Sequence, residues 1–158
     1  MAAESGVTSG SLYKHFSGKS DLFAAIVRAE LQRSAEGFSA AAEDDVDAFE
    51  KALGAYLSLQ HVDHPDRGCA LPSLTAEIAR ADESVRAAFQ KGLLGIHQAL
   101  QRVVKSGDKA WALIAQSVGA VMLARAVFDV DLRSDVLTAV KKSGQALMKE
   151  NPRRVRKR

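Results

Sequence analysis

Side chains that suit nucleic-acid contact are concentrated near the start of the chain, in the run GVTSGSLYKHF at residues 6–16. Leu12 and Phe16 are four residues apart and share one helix face, which leaves the hydroxyl, aromatic and basic side chains on other faces. Tyrosine, histidine and lysine supply hydrogen-bond donors for phosphate oxygens, and small hydroxyls suit base edges. The run therefore predicts a short DNA-contacting helix.

The elements around this run position it as half of a helix-turn-helix. Gly6 can adopt a left-handed backbone and end a preceding helix. Thr8 or Ser9 can then cap the next helix, because a side-chain oxygen accepts from its free amides. Ser17 and Gly18 break the chain before a longer helix begins near Lys19. A short helix between two such breaks is typical of a recognition helix.

Residues 6–23, GVTSGSLYKHFSGKSDLF, resemble the end of the DNA-binding region of TetR-type transcriptional regulators. That family usually has Gly-Val-Ser, any residue, Gly-Thr-Leu-Tyr, any residue, His-Phe, and a lysine a few positions later. The positions that agree are Gly6, Val7, Gly10, Leu12, Tyr13, His15, Phe16, Lys19 and Leu22. The resemblance implies major-groove contacts from Thr8, Ser9, Gly10 and Ser11, and phosphate contacts from Tyr13, His15 and Lys19.

The family's DNA-binding region starts with a helix that has no counterpart here, because Met1 to Ser5 match only the end of its second helix. We therefore expect residues 1–18 to be a partial helix-turn-helix, residues 19–150 to form a helical ligand-binding and dimerisation domain, and residues 151–158 to be a basic tail. Either the start has been placed at an internal methionine or the domain is truncated. The coding sequence upstream of Met1 would discriminate between the two.

Composition limits the class of protein. A chain of 158 residues with 47% hydrophobic and 26% charged residues predicts one globular domain. The net charge of +3 reflects the last six residues, RRVRKR, which carry five positive charges, so the rest is slightly acidic. One cysteine permits no internal disulfide, and no apolar run or leader pattern indicates a membrane, which favours a cytoplasmic location. No catalytic, metal-ligating or cofactor-binding motif indicates an enzyme.

From Ser17 onward, apolar residues recur at three- and four-residue steps, which predicts an all-α body. A loop is expected at residues 39–47, and helix ends are expected near His61 and at Gly107. The helix after Asp108 is apolar nearly all round and rich in small residues, which predicts close packing against a second subunit in a homodimer.

The resemblance also implies an effector cavity among the middle helices. Its predicted lining is Phe89, Leu93, Trp111 and Cys69, with Tyr56, His61 and Gln116 as polar groups. The predicted function is thus a TetR-like one-component regulator that acts as a repressor. Its predicted partners are a small-molecule effector and, if the first helix is present, a double-stranded DNA operator. The alternative is a helical ligand-binding and dimerisation module that has lost DNA binding through truncation.

Overall fold

The computed structural model describes residues 16–44 and 46–149. All of the elements in these ranges are α-helices, which confirms the predicted all-α class. The predicted recognition helix and the basic tail lie outside the described residues. The helices are α1 Lys19–Asp44, α2 Val46–Tyr56, α3 Leu59–Asp63, α4 Leu71–Ile78, α5 Glu83–Val104, α6 Gly107–Ala126 and α7 Val130–Lys149.

The most extensive packing between two helices of the described chain is that of α1 on α5, which run side by side in the same direction. At their beginnings, the Ser20 hydroxyl donates a hydrogen bond to the Asp82 carboxylate, just before α5. Near the middle of both helices, Leu31 of α1 lies against Gly92 of α5, where a Cβ atom would come within 2.4 Å of the Leu31 Cβ. Because Gly92 has no side chain, the two helices can approach each other this closely.

The expected loop at residues 39–47 is largely helical, which corrects the prediction, because α1 continues to Asp44. The segment SAAAED contains three alanines and neither glycine nor proline, so its helix propensity is high. With 26 residues, α1 is about 39 Å long at 1.5 Å per residue. One helix thus extends from the family-like segment deep into the body.

The turn between α5 and α6 also differs from expectation, because Gly107 begins α6 and does not end α5. The left-handed residue after α5 is Lys105, with φ of 56°. Ser106 then caps α6, its hydroxyl accepting from the Lys109 amide at 3.4 Å. In this left-handed conformation the Lys105 amide donates to the Gln101 carbonyl oxygen and closes the last turn of α5.

Two faces of α6 have different surroundings. Its inner face is buried against α5, α4 and α7 and includes Leu113, Ser117 and Val121. Its outer face leaves Trp111, Met122 and Leu123 exposed, by 40%, 40% and 61% respectively. The apolar residues therefore continue around the helix beyond what the chain itself covers.

The last helix, α7, packs along α6 and reaches α2 and α5. It begins at Val130, where the Asp129 carboxylate accepts from the Leu132 amide at 2.8 Å. Gly144 is buried, and a Cβ there would lie 2.9 Å from Leu53 and 3.0 Å from Leu113. None of the described helices has the length and hydropathy to cross a membrane.

The contact at Gly92 gives a direct stability prediction. Gly92→Ala should lower the free energy of unfolding by about 1–3 kcal/mol, because the new methyl group would push α1 away from α5. Gly37→Ala is the matched control within a helix, since a Cβ at Gly37 meets nothing within 4 Å. The control should be stabilised by about 0.4–1 kcal/mol. Urea unfolding of both variants would measure the difference, and equal effects would contradict a close α1–α5 contact.

Candidate functional site

An apolar cavity lies at the centre of the helical body, and we call it the central cavity. Its volume is about 20 Å³, which is room for a single water. Side chains from α1, α2, α4, α5, α6 and the segment before α4 surround it, so most helices of the fold meet there. The lining residues are Phe38, Phe49, Leu53, Tyr56, Cys69, Leu71, Ile96, Leu100, Leu113, Ile114, Ser117 and Val118.

Two hydroxyl groups in this apolar lining have no oxygen or nitrogen hydrogen-bond partner among the described residues. They are the phenol of Tyr56 and the hydroxyl of Ser117, and both oxygens are buried. Burial raises the pKa of the Tyr56 phenol well above its usual value, and the neighbouring Cys69 thiol raises it further. A buried hydroxyl without a partner costs about 1–3 kcal/mol, so both groups would gain from a polar atom placed in the cavity.

One wall of the central cavity is a row of packed rings. Phe38 of α1 lies between two rings of α2, with centroid distances of 6.3 Å to Phe49 and 6.1 Å to Tyr56. Tyr56 in turn lies 4.6 Å from the ring of His61 in α3. Tilted rings at these distances attract each other beyond simple area burial. The row connects α1 to the far end of the cavity.

His61 holds that end of the wall in place. Its Nδ1–H donates to the Tyr56 carbonyl oxygen at 2.7 Å, and the Cys69 amide donates to its Nε2 at 3.3 Å. Because Nε2 accepts, the ring is neutral with its proton on Nδ1. A Cβ at Gly68 would lie 2.2 Å from Nε2, so only glycine leaves room for this arrangement.

Arg125 of α6 binds the end of α3 and the beginning of α4 through hydrogen bonds. Its Nη2 and Nε donate to the carbonyl oxygens of His61 and Val62 at 3.2 and 3.3 Å, which satisfies the free end of α3. Its Nη1 donates to the Ser73 hydroxyl of α4 at 2.8 Å. Asp63 then forms an ion pair with Arg133 of α7. The cavity wall is therefore fixed to α6 and α7 through charged side chains.

A surface groove of about 310 Å³ lies outside the central cavity, and we call it the outer groove. Phe38, Tyr56 and Cys69 line both spaces, so these three side chains form the partition between them. The Ser34 hydroxyl lies 3.6 Å from the Cys69 sulfur on the α1 side. Other groove residues are Arg33, Ser34, Ala52, Ala55, His61, Arg67 and Gly68.

The structure places two of the seven predicted ligand-binding residues, Tyr56 and Cys69, in the lining of the central cavity. His61 lines the outer groove and supports the cavity wall from behind. Trp111 is half-exposed and stacks on His97 at a centroid distance of 4.1 Å. The remaining three, Phe89, Leu93 and Gln116, do not line the cavity, although both apolar ones pack against the core.

Sequence reasoning missed Ser117, although the sequence contains a signal for it. The buried face of α6 has apolar residues at positions 110, 113, 114, 120, 121 and 124, and Ser117 is the polar interruption in that stripe. Phe38 and Phe49 also line the cavity, and their helical spacing alone does not reveal where a core leaves space. A lone polar residue on a buried helix face was therefore the more informative feature.

Of the predicted DNA-binding residues, Thr8, Ser9, Gly10, Ser11, Tyr13 and His15 lie outside the described residues. Lys19 is the first residue of α1 and its side chain is exposed. Within residues 16–44 and 46–149, no group of three histidine, cysteine or acidic side chains could hold a metal ion.

Comparison with known proteins gives one result for the start of the chain. Residues 1–26 match the family model described as bacterial regulatory proteins, tetR family. This range includes the whole run at residues 6–23 and the first two turns of α1. Among curated proteins, no sequence matches the chain significantly.

The hydrogen bonds of His61 with the Tyr56 carbonyl and the Cys69 amide predict that the stability of the fold depends on pH. Burial lowers the pKa of His61, the bond to the Tyr56 carbonyl opposes this change, and Arg125 lowers the pKa further. Below about pH 6.5 the unfolded chain therefore binds this proton more readily than the folded one, so stability falls as the pH falls. Urea unfolding at about pH 7.5 and about pH 5.5 should show a smaller loss for His61→Gln than for the wild type.

His64→Gln is the matched control, because His64 is exposed and its Nδ1 contacts only the Gln60 carbonyl, at 2.9 Å, among the described residues. This variant should keep the wild-type pH dependence. Identical pH dependence in His61→Gln and the wild type would contradict the predicted contribution of the buried His61 ring to stability.

Proposed function

We propose that this chain, which belongs to the TetR family of bacterial regulatory proteins, is a one-component transcription regulator whose DNA affinity is controlled by a small molecule. The observation that supports this most strongly is the course of α1. Its first residue, Lys19, lies within the family-matched segment, and Phe38 of the same helix lines the central cavity. A change in the cavity can therefore reach the DNA-binding end through one continuous helix.

The chemistry of the central cavity supports an effector that is mostly apolar with one or two polar atoms. The walls are aliphatic and aromatic, which favours a flat hydrocarbon body. Among the described residues, the Tyr56 and Ser117 hydroxyls have no oxygen or nitrogen partner, and they would bind a carbonyl or hydroxyl oxygen. Because the empty volume is only about 20 Å³, the effector must move side chains to enter, and this movement provides a means of control.

The exposed apolar face of α6 supports a homodimer. Trp111, Met122 and Leu123 lie on that face, and the side chain of Phe128 after it is fully exposed. Gly119 lies on the same stretch, with open space where a Cβ would point, so a second helix can approach closely. Two copies related by a twofold axis would cover these residues with a four-helix interface.

A dimer links effector binding to DNA affinity through geometry. Recognition helices of a dimer bind half-sites about 34–36 Å apart, so both must fit at once. An effector lowers DNA affinity if it prefers a spacing of the two helices that differs from this value. We therefore propose a repressor that is released from a short palindromic operator when the cavity is occupied.

Selection from random DNA, followed by titration of the selected sequence, tests the function. We expect one preferred palindrome, and Lys19→Ala should weaken binding to all sequences equally and reduce the salt slope by about one, because a phosphate contact is lost. Lys91→Ala is the control, since Lys91 is an exposed lysine on α5. The protein should be used with the complete DNA-binding unit of the family.

Two outcomes would contradict parts of this proposal. If no sequence is enriched while small molecules still stabilise the fold, the chain is a helical ligand-binding module without DNA binding. If Lys19→Ala changes sequence preference and leaves overall affinity unaltered, the role of Lys19 as a phosphate contact is wrong.

The dimer interface can be tested separately. Gly119→Leu should give a monomer at micromolar concentration, because the added side chain fills the space that a partner helix would occupy. Within the chain this position is open, so the monomer should keep its helical content. Gly37→Leu, at an equally open position on α1, should leave the dimer intact. Sedimentation analysis would check both, and a monomeric wild type would remove the proposed interface.

A further inference from the structure

Cys69 occupies an unusual position for the chain's single cysteine. It lies in the partition between the central cavity and the outer groove and lines both spaces. The thiol is free and half-buried, with the Ser34 hydroxyl 3.6 Å away on one side. A molecule that entered from the groove toward the cavity would pass this sulfur.

A second observation indicates that the cavity side of Cys69 is built to hold a polar atom. Ser117 is only 7% exposed, and its hydroxyl has no partner among the described residues. The buried Tyr56 hydroxyl is also without an oxygen or nitrogen partner there, and it interacts with the Cys69 thiol. The cavity thus combines an apolar lining, the Ser117 hydroxyl, which has no partner among the described residues, and the Tyr56 hydroxyl beside the Cys69 thiol.

We infer that Cys69 is a covalent capture site for flat, apolar electrophiles of the enone or quinone class. This inference rests on the proposed function, because it names the chemical class of the effector. The cavity of about 20 Å³ holds only a single water, so Phe38, Phe49 and Leu113 would have to move apart to admit the hydrocarbon part between them. The carbonyl oxygen would accept a hydrogen bond from the Tyr56 phenol.

The reaction is a conjugate addition that needs no oxidant or reductant. The Cys69 thiol first loses its proton to water in the outer groove, and the thiolate sulfur attacks the β-carbon of the enone. A carbon–sulfur bond forms, the carbon–carbon π bond breaks, and the electron pair moves to the carbonyl oxygen. The resulting enolate is stabilised by the Tyr56 hydroxyl, and its α-carbon then takes a proton from water.

His61 does not act as the base in this scheme. Its Nε2 already accepts from the Cys69 amide, and its Nδ1–H is bound to the Tyr56 carbonyl oxygen. The imidazole instead holds the backbone of Cys69 at the partition, so it is a positioning residue.

Intact-mass spectrometry of the folded protein tests the capture site. The probes are benzylideneacetone and ethylideneacetone, two enones that differ in a phenyl or methyl group at the β-carbon. Each rate is divided by the rate of the same probe with N-acetylcysteine, which removes intrinsic reactivity. We expect the normalised rate to be about tenfold higher for benzylideneacetone, since burying about 55 Å² more apolar surface gives about 1.4 kcal/mol. Cys69→Ser should form no adduct.

Tyr56→Phe separates hydrogen bonding to the enolate from simple access to the thiol. This variant should slow benzylideneacetone addition severalfold and leave alkylation by iodoacetamide unchanged, because that reaction forms no enolate. Removing a hydroxyl that lacks a partner should not unfold the protein. Equal slowing with both reagents would overturn the role of Tyr56.

Equal normalised rates for the two enones would overturn the capture site and would indicate that the two hydroxyls bind only a buried water. These measurements use mass and not DNA binding, so they are independent of the regulator proposal. Reversible stabilisation by apolar ligands without an adduct would refute covalent capture and leave an ordinary effector cavity. An adduct without any DNA binding would support the capture site and refute the regulator.

Discussion

The close parallel packing of α1 on α5 is the contact on which the other parts of the structure depend. Gly92 permits it, and Ser20 and Asp82 align the beginnings of the two helices. An isolated helix is marginal in water, so a helix as long as α1 needs such a partner along its length. Because α5 also lines the central cavity through Ile96 and Leu100, the helix that carries the family-matched segment rests directly on the cavity's own wall.

The lining of the central cavity contains well-packed apolar side chains and also two buried hydroxyl groups, which are rare in an apolar core. Aromatic packing of Phe38 against Phe49 and Tyr56 stabilises the wall. The buried hydroxyls of Tyr56 and Ser117, which have no oxygen or nitrogen partner in the part of the chain that the structure describes, destabilise it. Replacing either hydroxyl by an apolar group would relieve this cost. Side chains of this kind are more easily explained as ligand contacts than as contributors to stability, which agrees with an apolar effector that carries a polar atom.

The sequence predicted the family, the all-α class and the main helices, because local motifs and apolar periodicity encode them. It predicted Tyr56 and Cys69 at the cavity but also proposed Trp111, which is half-exposed and stacks on His97 of α5. Periodicity identifies the buried face of a helix, yet it does not show which part of that face meets empty space. The parallel alignment of α1 with α5 and the Arg125 contacts are tertiary features, and no local pattern predicts them.

Arg125 gives a physical reason to expect coupling between the cavity and the proposed dimer helix. On one side it binds the carbonyl oxygens of His61 and Val62, and on the other it belongs to α6, two residues after the exposed Leu123. A displacement of His61 and Val62 would therefore be transmitted to α6 through the hydrogen bonds of Arg125. These bonds are charge-assisted and hence stronger than neutral ones. An effector that displaces Tyr56 would act on α1 through Phe38 and on α6 through Arg125. The helix that begins in the family-matched segment and the proposed dimer helix are thus both attached to one wall of the cavity.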